Sequence, residues 1–469
     1  MINRLSDNHQ IQNARSAYFI GIGGAGMSAL AKLLHHNGVK VSGSDLKETL
    51  ATRQLLDLGI SVYIGQEEPH FDPAVDLVVY SSAIHENHVE FAAAKQFGRN
   101  IFHRAAVLSS FFNSANISVA ITGTHGKTTT SAMVSFVLHD RGKDPTCLIG
   151  GDLVDFGTNA LLGHSGIYVS EVDESDKTHE LFAPNYAIVT NLEEDHVDHY
   201  TGTQDLQDSF QRFLQNLHDP GLVVYSEDDP DLKNLSLKSG KPHLSFGFSS
   251  AANFSAQNIR LAPSGTIFDL YVCGVFSTEF RLCLIGLHNV SNALASIALL
   301  HYLGLDLDSI SESLSRFHGA TRRLEVKYQS DHLMIINDYA HNPTKVLASI
   351  KALRVYNRKL TVIFQPHRYT RTQRFFKEFA HALRDTDDLI LTDIYGAGEN
   401  NETHISTQKI HDELIRLGHP SVHFIAKEKV SLYLSSRLNL SGVVAFLGAG
   451  DIGDLANEFS DRHKTTVTA

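Results

Sequence analysis

No stretch of the 469 residues approaches the run of about 18 apolar side chains that a membrane-crossing helix needs. Basic charge is also short. Forty lysines and arginines face 52 aspartates and glutamates, and the net charge of −12 excludes a chain built to coat nucleic acid or anionic membrane. The three cysteines, Cys147, Cys273 and Cys283, are too few and too scattered for a disulfide framework or a zinc site. Cys273 and Cys283 could meet across a hairpin, where buried thiols are expected. The opening residues, "MINRLSDNHQIQNARSAYF", lack the apolar centre of a signal peptide, so a cytoplasmic location is expected. Low-complexity segments and short-period repeats are absent as well.

What is present is ordinary globular material in quantity. Apolar residues make up 42% and charged residues 20%, enough to bury several cores, and the length suggests about three domains of roughly 150 residues. One pattern recurs: a short apolar strand, a glycine-rich or polar turn, then an amphipathic helix. It opens at "YFIGIGGAGMSALAKLL", where Met27, Leu30, Ala31 and Leu34 mark one helical face. Strand-like "VKVSGSD" and "DLVVYSSAI" follow, and a polar break at "FFNSANIS" closes the module. A second module opens with "SVAITGTHGKTTTSAMVSFVL" and continues through "IYVS", "AIVT", "LVVY", β-rich sequence from about 245 to 285, and the helix "NVSNALASIALLHYL". The third follows "SRFHGATRRLE", with strands "LMIIND", "LTVIFQ", "LILTD", "VHFI" and "VVAFLG". Three α/β modules of mainly parallel strands are the economical architecture.

Two glycine turns carry chemistry. In "FIGIGGAGMSAL", Gly21, Gly23 and Gly26 give G-x-G-x-x-G after an apolar run, and Asp45 follows 19 residues beyond the last glycine. That spacing brings backbone N–H groups at a helix start against a pyrophosphate, without saying which nucleotide carries it. The second turn, "GTHGKTT" from Gly123 to Thr129, departs from the strict phosphate-loop pattern because Ile121 stands at the first glycine position. Its physical parts remain: a strand entering a glycine turn, Lys127 to pair with β/γ-phosphates, and Thr128 with a hydroxyl for Mg²⁺. Magnesium takes hard oxygen ligands and keeps several waters, so one or two protein acids suffice. Glu171, Asp173, Glu174 and Asp176 follow strand "IYVS", and Asp195, His196 and Asp198 follow "AIVT". In a parallel sheet those strand ends share one edge with the phosphate loop.

Taken in order, "GIGGAGMSALA", "SGSD", "SSAI", "HRA", "GTHGKTTT", "EVDESD", "NLEEDHVD", "HNVSNALASIA", "RRLE", "NDYAHNPT", "FQPHRYTRT", "YGAGE" and "GAGDI" span nearly the whole chain. This ordered set resembles the Mur ligases, ATP-dependent amide-forming enzymes of peptidoglycan synthesis. The resemblance implies an α/β fold of three domains: a Rossmann-like UDP-sugar domain (1–114), a P-loop ATPase-like central domain (115–319) and a Rossmann-like amino-acid domain (320–469). It is nearest the branch that joins L-alanine to the lactyl carboxylate of UDP-N-acetylmuramate, through an acyl phosphate. ATP and Mg²⁺ are then required, no nucleic acid or membrane takes part, and a monomer or homodimer is expected.

Roles follow by position from the resemblance. Gly123, Thr124, His125, Gly126, Lys127, Thr128 and Thr129 would surround the ATP phosphates. Thr128 and Glu171 would hold one magnesium and His196 a second, next to the γ-phosphate and the sugar carboxylate. His288 and Asn292 match adenine contacts, while Arg323 and Asp338 match contacts to phosphate and ribose. Gly21, Gly23, Gly24, Gly26, Ser44, Asp45, Ser81, Ser82 and Arg104 line up with the UDP-sugar face. Arg368 and Arg371 match the arginines that receive the amino-acid carboxylate, with Tyr339 and His341 beside them and His341 the candidate base for the amine. A guanidinium suits that task because its fork matches a carboxylate. Lys127, His196, Arg368 and His341 would carry catalysis.

The sequence also departs from the family pattern. Asn337, Asn342 and Lys345 in "NDYAHNPTK" replace an acid, a histidine and an acid, so glycine or serine could join alanine as substrates. No carbamylated lysine of the kind some sister ligases use is identifiable: "HYTGTQDLQDSFQRFL" offers Phe210 and Arg212 there instead, as the alanine-adding branch implies. A third G-x-G-x-x-G, Gly448, Gly450 and Gly453, reads as a structural turn near the amino-acid site. Three rival readings explain less. A dehydrogenase leaves the phosphate loop and "HRYTR" unexplained. A sister ligase that attaches a recycled tripeptide would carry a different arginine loop. A non-catalytic homologue would not need Lys127, Glu171, His196 and Arg368 together.

Overall fold

A computed structural model describes residues 4–66, 69–70, 72–193, 200–436 and 441–467. By compactness the chain forms two units. The first comprises Met1–Asn258, Phe268–Phe280 and Ser291–His318, and the second Ile259–Ile267, Arg281–Val290 and Gly319–Ala469. Three sheets are present among the described residues, one for each expected module, and the first unit holds the first of them entire.

The first sheet comprises β1 (Ser16–Ile20), β2 (Lys40–Asp45), β3 (Ser61–Ile64), β4 (Leu77–Tyr80) and β5 (Asn100–His103), in the order β3-β2-β1-β4-β5. All four pairings are parallel. Strand order therefore reverses direction at β1, which makes the carboxyl ends of β1 and β4 the place where a ligand settles in a doubly wound sheet. Burial on both faces explains why "SAYFI" and "LVVY" read as unbroken apolar runs. The helix Ala25–His36 buries Met27, Leu30, Ala31 and Leu34, as its period requires, and Leu33 as well. One apolar cluster extends from Phe19 and Phe112 to Phe182, Phe210 and Phe213. The first module and the start of the second thus share a core.

Two buried polar groups fix the first sheet in place. Glu90, in the first turn of the helix Val89–Gln96, is fully buried and accepts from Tyr18 Oη and Ser44 Oγ, each at 2.5 Å. Burial and the carboxylate together push the Tyr18 phenol well above its ordinary pKa. Lys32, also buried, donates to Gln54 Oε1 at 2.9 Å and, across to the strand Thr158–Leu161, to Thr158 Oγ1 at 3.1 Å and Asn159 Oδ1 at 2.9 Å. Among the described residues no carboxylate hydrogen-bonds that ammonium, and burial lowers its pKa.

The second sheet contains β6 (Ile117–Thr122), β7 (Thr146–Leu153), β8 (Thr158–Leu161), β9 (Ile167–Glu171), β10 (Tyr186–Val189), β11 (Leu222–Ser226), β12 (His243–Gly247), β13 (Phe254–Ala262), β14 (Gly265–Val272) and β15 (Val275–Leu282). Their order is β15-β14-β13-β12-β11-β10-β6-β9-β7-β8. The strand β6 lies between β10 and β9, parallel to both, so the loops leaving these three strands emerge on one edge. Cys147 is buried, but Cys273 and Cys283 are exposed. The expectation of buried thiols there is corrected: Cys273 sits in the tight turn between β14 and β15, at φ +49°, with no core to enter.

The second unit contains β16 (Glu325–Gln329), β17 (Leu333–Asp338), β18 (Leu360–Phe364), β19 (Asp388–Leu391), β20 (Val422–Phe424) and β21 (Gly442–Leu447), ordered β16-β17-β21-β18-β19-β20. Only β16 is antiparallel to its neighbour. The carboxyl ends of β17, β21 and β18 therefore open on one edge.

Tyr18→Phe removes one of the two hydroxyl donors from the buried Glu90 carboxylate. It is expected to cost about 2 kcal/mol in urea unfolding. An unchanged midpoint would show that the carboxylate does not depend on that hydroxyl.

Candidate active site

The first glycine turn is closed by its own acid. Gly21 and Ile22 donate their N–H groups to Ser44 O at 2.9 and 2.8 Å, and Gly23 N–H donates to Asp45 Oδ2 at 2.8 Å. A Cβ on Gly23 would lie 2.8 Å from that oxygen, and one on Gly26 would lie 3.0 Å from Arg104 Nη1. Gly24 caps the helix Ala25–His36 and presents its start to the turn. Arg104 thus lies directly over a helix N-terminus, where a guanidinium and backbone N–H groups together favour a diphosphate. Ser44 departs from its expected ligand role. Its side chain is buried, donates to Glu90 and accepts from Gln66 Nε2 at 3.1 Å. Ser81, just beyond β4, accepts through its carbonyl from Ile84 N–H at 2.9 Å and so shapes the turn leading out of the sheet.

The phosphate loop links β6 to the helix Lys127–Asp140. Gly123 (φ +118°) and Gly126 (φ +84°) take the left-handed backbone that favours glycine. A Cβ on Gly126 would overlap Asn292 Oδ1, an oxygen that also accepts from Thr130 Oγ1 at 3.3 Å. The residues after β10 brace the loop from below. Asn191 Oδ1 accepts from His125 N–H at 2.9 Å, Asn191 Nδ2 donates to His125 O at 3.0 Å, and Thr190 Oγ1 donates to the same carbonyl. Thr124 Oγ1 donates to Glu193 O at 3.0 Å, and His125 Nε2 meets Glu193 Oε2 at 2.9 Å. Thr128 and Thr129 are both buried at the head of the helix.

One acidic loop gathers these pieces. Glu171, the last residue of β9, accepts from Thr128 Oγ1 at 2.8 Å and Gly150 N–H at 3.0 Å. Asp173 Oδ2 lies 3.5 Å from Arg104 Nη2. Glu174, fully buried, accepts from Lys127 Nζ at 2.6 Å, and the same ammonium donates to Gly123 O at 2.7 Å. Burial alone would lower the Lys127 pKa, but Glu174, Asp173 and Glu171 outweigh it and hold the group at about 12. Asp176 accepts from Ser82 Oγ, which also meets His103 Nε2 at 3.0 Å. Ala105 N–H donates to His103 Nδ1, so in the neutral ring Nε2 carries the proton and points it at Ser82. The UDP-sugar candidates Ser82 and Arg104 and the ATP candidates Lys127 and Thr128 are therefore all held by residues 171–176.

Hard oxygens at Thr128 and Glu171 fit magnesium. Among the described residues no group of three or more His, Cys, Asp or Glu side chains gathers as a metal cage, and a magnesium that keeps its waters needs none. His196, Asp195 and Asp198 lie outside the described residues. Phe210 is buried in the core and Arg212 pairs with Glu180 at 2.8 Å, so neither belongs to the site.

The second unit has a site edge of its own. Asp338 ends β17 but turns inward, accepting from Ser349 Oγ. Burial raises its pKa against the opposing pull of that hydrogen bond and of Arg323. Tyr339 lies between two guanidiniums, with Arg322 at 4.7 Å and Arg323 at 5.0 Å from its ring centre. His341 packs edge-on against Tyr339 at 5.1 Å, and its Nδ1 meets Tyr339 O at 2.8 Å. His367, 5.6 Å from the His341 ring, meets Arg371 Nη1 through Nδ1 at 3.2 Å and stacks on Tyr395 at 5.7 Å. Arg371 is buried, whereas Arg368 (φ +68°) is half-exposed and 3.4 Å from Glu399 Oε1. Asn342 caps the helix Pro343–Leu353 by accepting from Lys345 N–H at 2.9 Å. His288 is pushed down to about 4 by burial and by Arg323.

Sequence reasoning missed Thr190 and Asn191, although a polar pair directly after strand "AIVT" was a usable signal. It also missed Arg322, His367 and Tyr395, which flank motif residues without a spacing of their own.

Three family models match along the chain: the Mur ligase family catalytic domain over residues 16–115, the Mur ligase middle domain over 121–300, and the Mur ligase glutamate ligase domain over 322–450. A UDP-N-acetylmuramate–L-alanine ligase of Carboxydothermus hydrogenoformans is 37% identical over 447 residues, 95% of this chain and 96% of that protein. The solved UDP-N-acetylmuramate-alanine ligase of Thermotoga maritima superposes with a TM-score of 0.84 at 30% identity, covering 96% of this chain and 99% of its own. A murein peptide ligase from Psychrobacter arcticus shares the fold, with a TM-score of 0.73 at 22% identity over 97% of this chain and 98% of its own.

Gly126→Ala is expected to weaken ATP binding about tenfold or more, because its Cβ displaces Asn292. Gly142→Ala, at φ +68° with open space around it, controls for backbone strain alone and leaves ATP binding intact in a fluorescence titration. The folded His288 titrates near 4 against an ordinary 6.5. Its contribution to stability is therefore complete above pH 6.5 and lost as the pH falls through 6.5 toward about 4, since the unfolded chain takes the proton first. Melting temperatures of the protein and of His288→Asn across that window should differ in slope.

Proposed function

The chain belongs to the Mur ligase family and is an ATP-dependent ligase joining L-alanine to UDP-N-acetylmuramate, and we propose that its two site edges divide that reaction. The observation that carries the assignment of residues is the hold of loop 171–176 on both Arg104 and Lys127. It sets the diphosphate turn of the sugar nucleotide beside the phosphate loop of ATP within one unit. In this reading residues 1–114 bind the UDP-sugar, 115–319 bind ATP and 320–469 receive the amino acid. The spans of the three family models support those boundaries.

The sugar's lactyl carboxylate attacks the γ-phosphate, the bond to ADP breaks, and an acyl phosphate forms. The alanine amine then attacks the acyl carbon and inorganic phosphate leaves. Phosphoryl transfer asks for positioning and charge neutralisation more than for covalent help. Lys127 supplies a fixed cation on the phosphates, and Arg323 is proposed as a phosphate contact from its motif. Thr128 and Glu171 are the oxygens that would hold Mg²⁺, with His196 proposed from its motif; the ion would neutralise phosphate charge. Arg368 and Arg371 receive the amino-acid carboxylate. His341 takes the amine proton: Tyr339 O can only accept, so Nδ1 carries hydrogen and Nε2 is the basic nitrogen of the neutral ring. Asn292 and His288 remain the proposed adenine contacts, and Asp45 the contact at the uridine end. The nucleotide substrates place the reaction in the cytoplasm.

The test is phosphate release with ATP, Mg²⁺ and UDP-N-acetylmuramate against a panel of amino acids and the tripeptide. Release that depends on L-alanine, and falls by about three orders of magnitude or more in Lys127→Met, is the expected outcome. Release only with tripeptide would move the chain to the sister branch, and full turnover by Lys127→Met would refute the role of the phosphate loop.

A further inference from the structure

Among the described residues, Arg322 is a guanidinium at the second site edge that the reaction scheme leaves without a task. It takes the left-handed backbone (φ +58°), its N–H donates to Glu325 Oε2 at 2.9 Å, and its carbonyl accepts from Tyr339 N–H at 2.7 Å. Its side chain makes neutral contacts: Nη2 donates to Gly448 O and Gly450 O, both at 2.9 Å, and the guanidinium lies over the Tyr339 ring. No carboxylate forms an ion pair with it among the described residues. Its buried Nε has no hydrogen-bond partner, and neither has Oδ1 of Asn337, which is 1% exposed. Arg322 Nε and Asn337 Nδ2 both lie 3.2 Å from the point where a Cβ of Gly453 would stand. Turning the Asn337 amide by 180° brings its oxygen to the Nε side. Both side chains border the space that a side chain at Gly453 would fill.

From Arg322 two routes of contact run to the same place. One passes through Tyr339 to His341 and on to His367. The other passes through Gly450, whose Cβ would stand 2.6 Å from the Tyr395 ring, to Tyr395 stacked on His367. Both end at the histidine that meets Arg371. A guanidinium holds two carbonyls in a fixed planar fork while its face lies on a ring, an orientation that the rotating ammonium of a flexible lysine does not fix.

We propose that Arg322 is a positioning residue of the alanine site, fixing His367 and Arg371 through Tyr339 on one side and the Gly448–Gly450 turn on the other. The proposal rests on the assignment of Arg371 to the alanine carboxylate. Arg322 touches none of the reacting atoms. Its effect falls on how well the amino acid is held rather than on ATP or the UDP-sugar.

The experiment measures KM for all three substrates and kcat in Arg322→Lys and Asn337→Asp, with Arg371→Lys in parallel. Arg322→Lys keeps the charge and loses the double carbonyl contact; KM for L-alanine should rise about tenfold while KM for ATP and UDP-N-acetylmuramate stays within about twofold. Asn337→Asp guards against a folding defect at position 322. Its carboxylate draws the guanidinium off the carbonyls, and KM for alanine should rise about threefold. The proposal is overturned if KM for alanine stays at the wild-type value in both variants, or if all three KM values move together. If Arg371→Lys raises KM for alanine while the other two variants do not, Arg322 alone loses its role. If Arg371→Lys also leaves it unchanged, the alanine site itself is misplaced and both readings fall.

Discussion

The ion pair between the Lys127 ammonium and the buried Glu174 carboxylate is the constraint on which the first site depends. Glu174 has no exposure to water, and a carboxylate taken out of water without a cation is costly by several kcal/mol. Lys127 is therefore anchored, and so is the stretch of chain to either side of Glu174. Three residues upstream, Glu171 reaches Thr128. One residue upstream, Asp173 faces Arg104, and two residues downstream Asp176 holds Ser82. A loop of six residues thereby fixes a threonine, a lysine, an arginine and a serine that follow strands of two different sheets. The pair also tunes the lysine, because the surrounding acids keep it charged despite its burial.

The second site edge obeys the same topological rule with different physics. There too the functional side chains leave the carboxyl ends of parallel strands, β17, β18 and β21, where the strand order switches. Its scaffold, however, is made of rings and planar cations: Tyr339 between two arginines, His341 against Tyr339, and His367 between His341 and Tyr395. Such contacts are individually worth about 1 kcal/mol. They hold orientation without neutralising charge, which suits a place meant to receive a carboxylate.

Where a motif encodes local backbone geometry, the sequence was a good guide. The glycine turns at Gly21–Gly26 and Gly123–Gly126 stand where strand, glycine spacing and helix start placed them, and Glu171 ends its strand facing Thr128. Reading failed where a side chain's fate is decided by a residue far along the chain. Ser44 looks like a ligand contact beside Asp45, but Glu90, 46 residues away, captures its hydroxyl. Asp338 is drawn to Ser349 in the following helix, and the Thr190–Asn191 brace works only because β10 lies against β6. Nothing in "RRLE" distinguishes Arg322 from its neighbour Arg323. Which arginine turns toward Gly448 and Gly450 is settled by strand β21, more than 100 residues later.

Several glycines of this protein work as receptacles. Gly126 admits the Asn292 amide, Gly150 the Glu171 carboxylate, Gly23 that of Asp45 and Gly26 the Arg104 guanidinium. In each case the missing methyl is the space a polar partner occupies. Such a site cannot be retuned one side chain at a time. The glycine and its guest form a unit of heredity, and a library that varies only the residues facing ligand samples half of each pair. Changing what these pockets accept requires altering both members together, so the evolutionary neighbours of this enzyme lie two steps away.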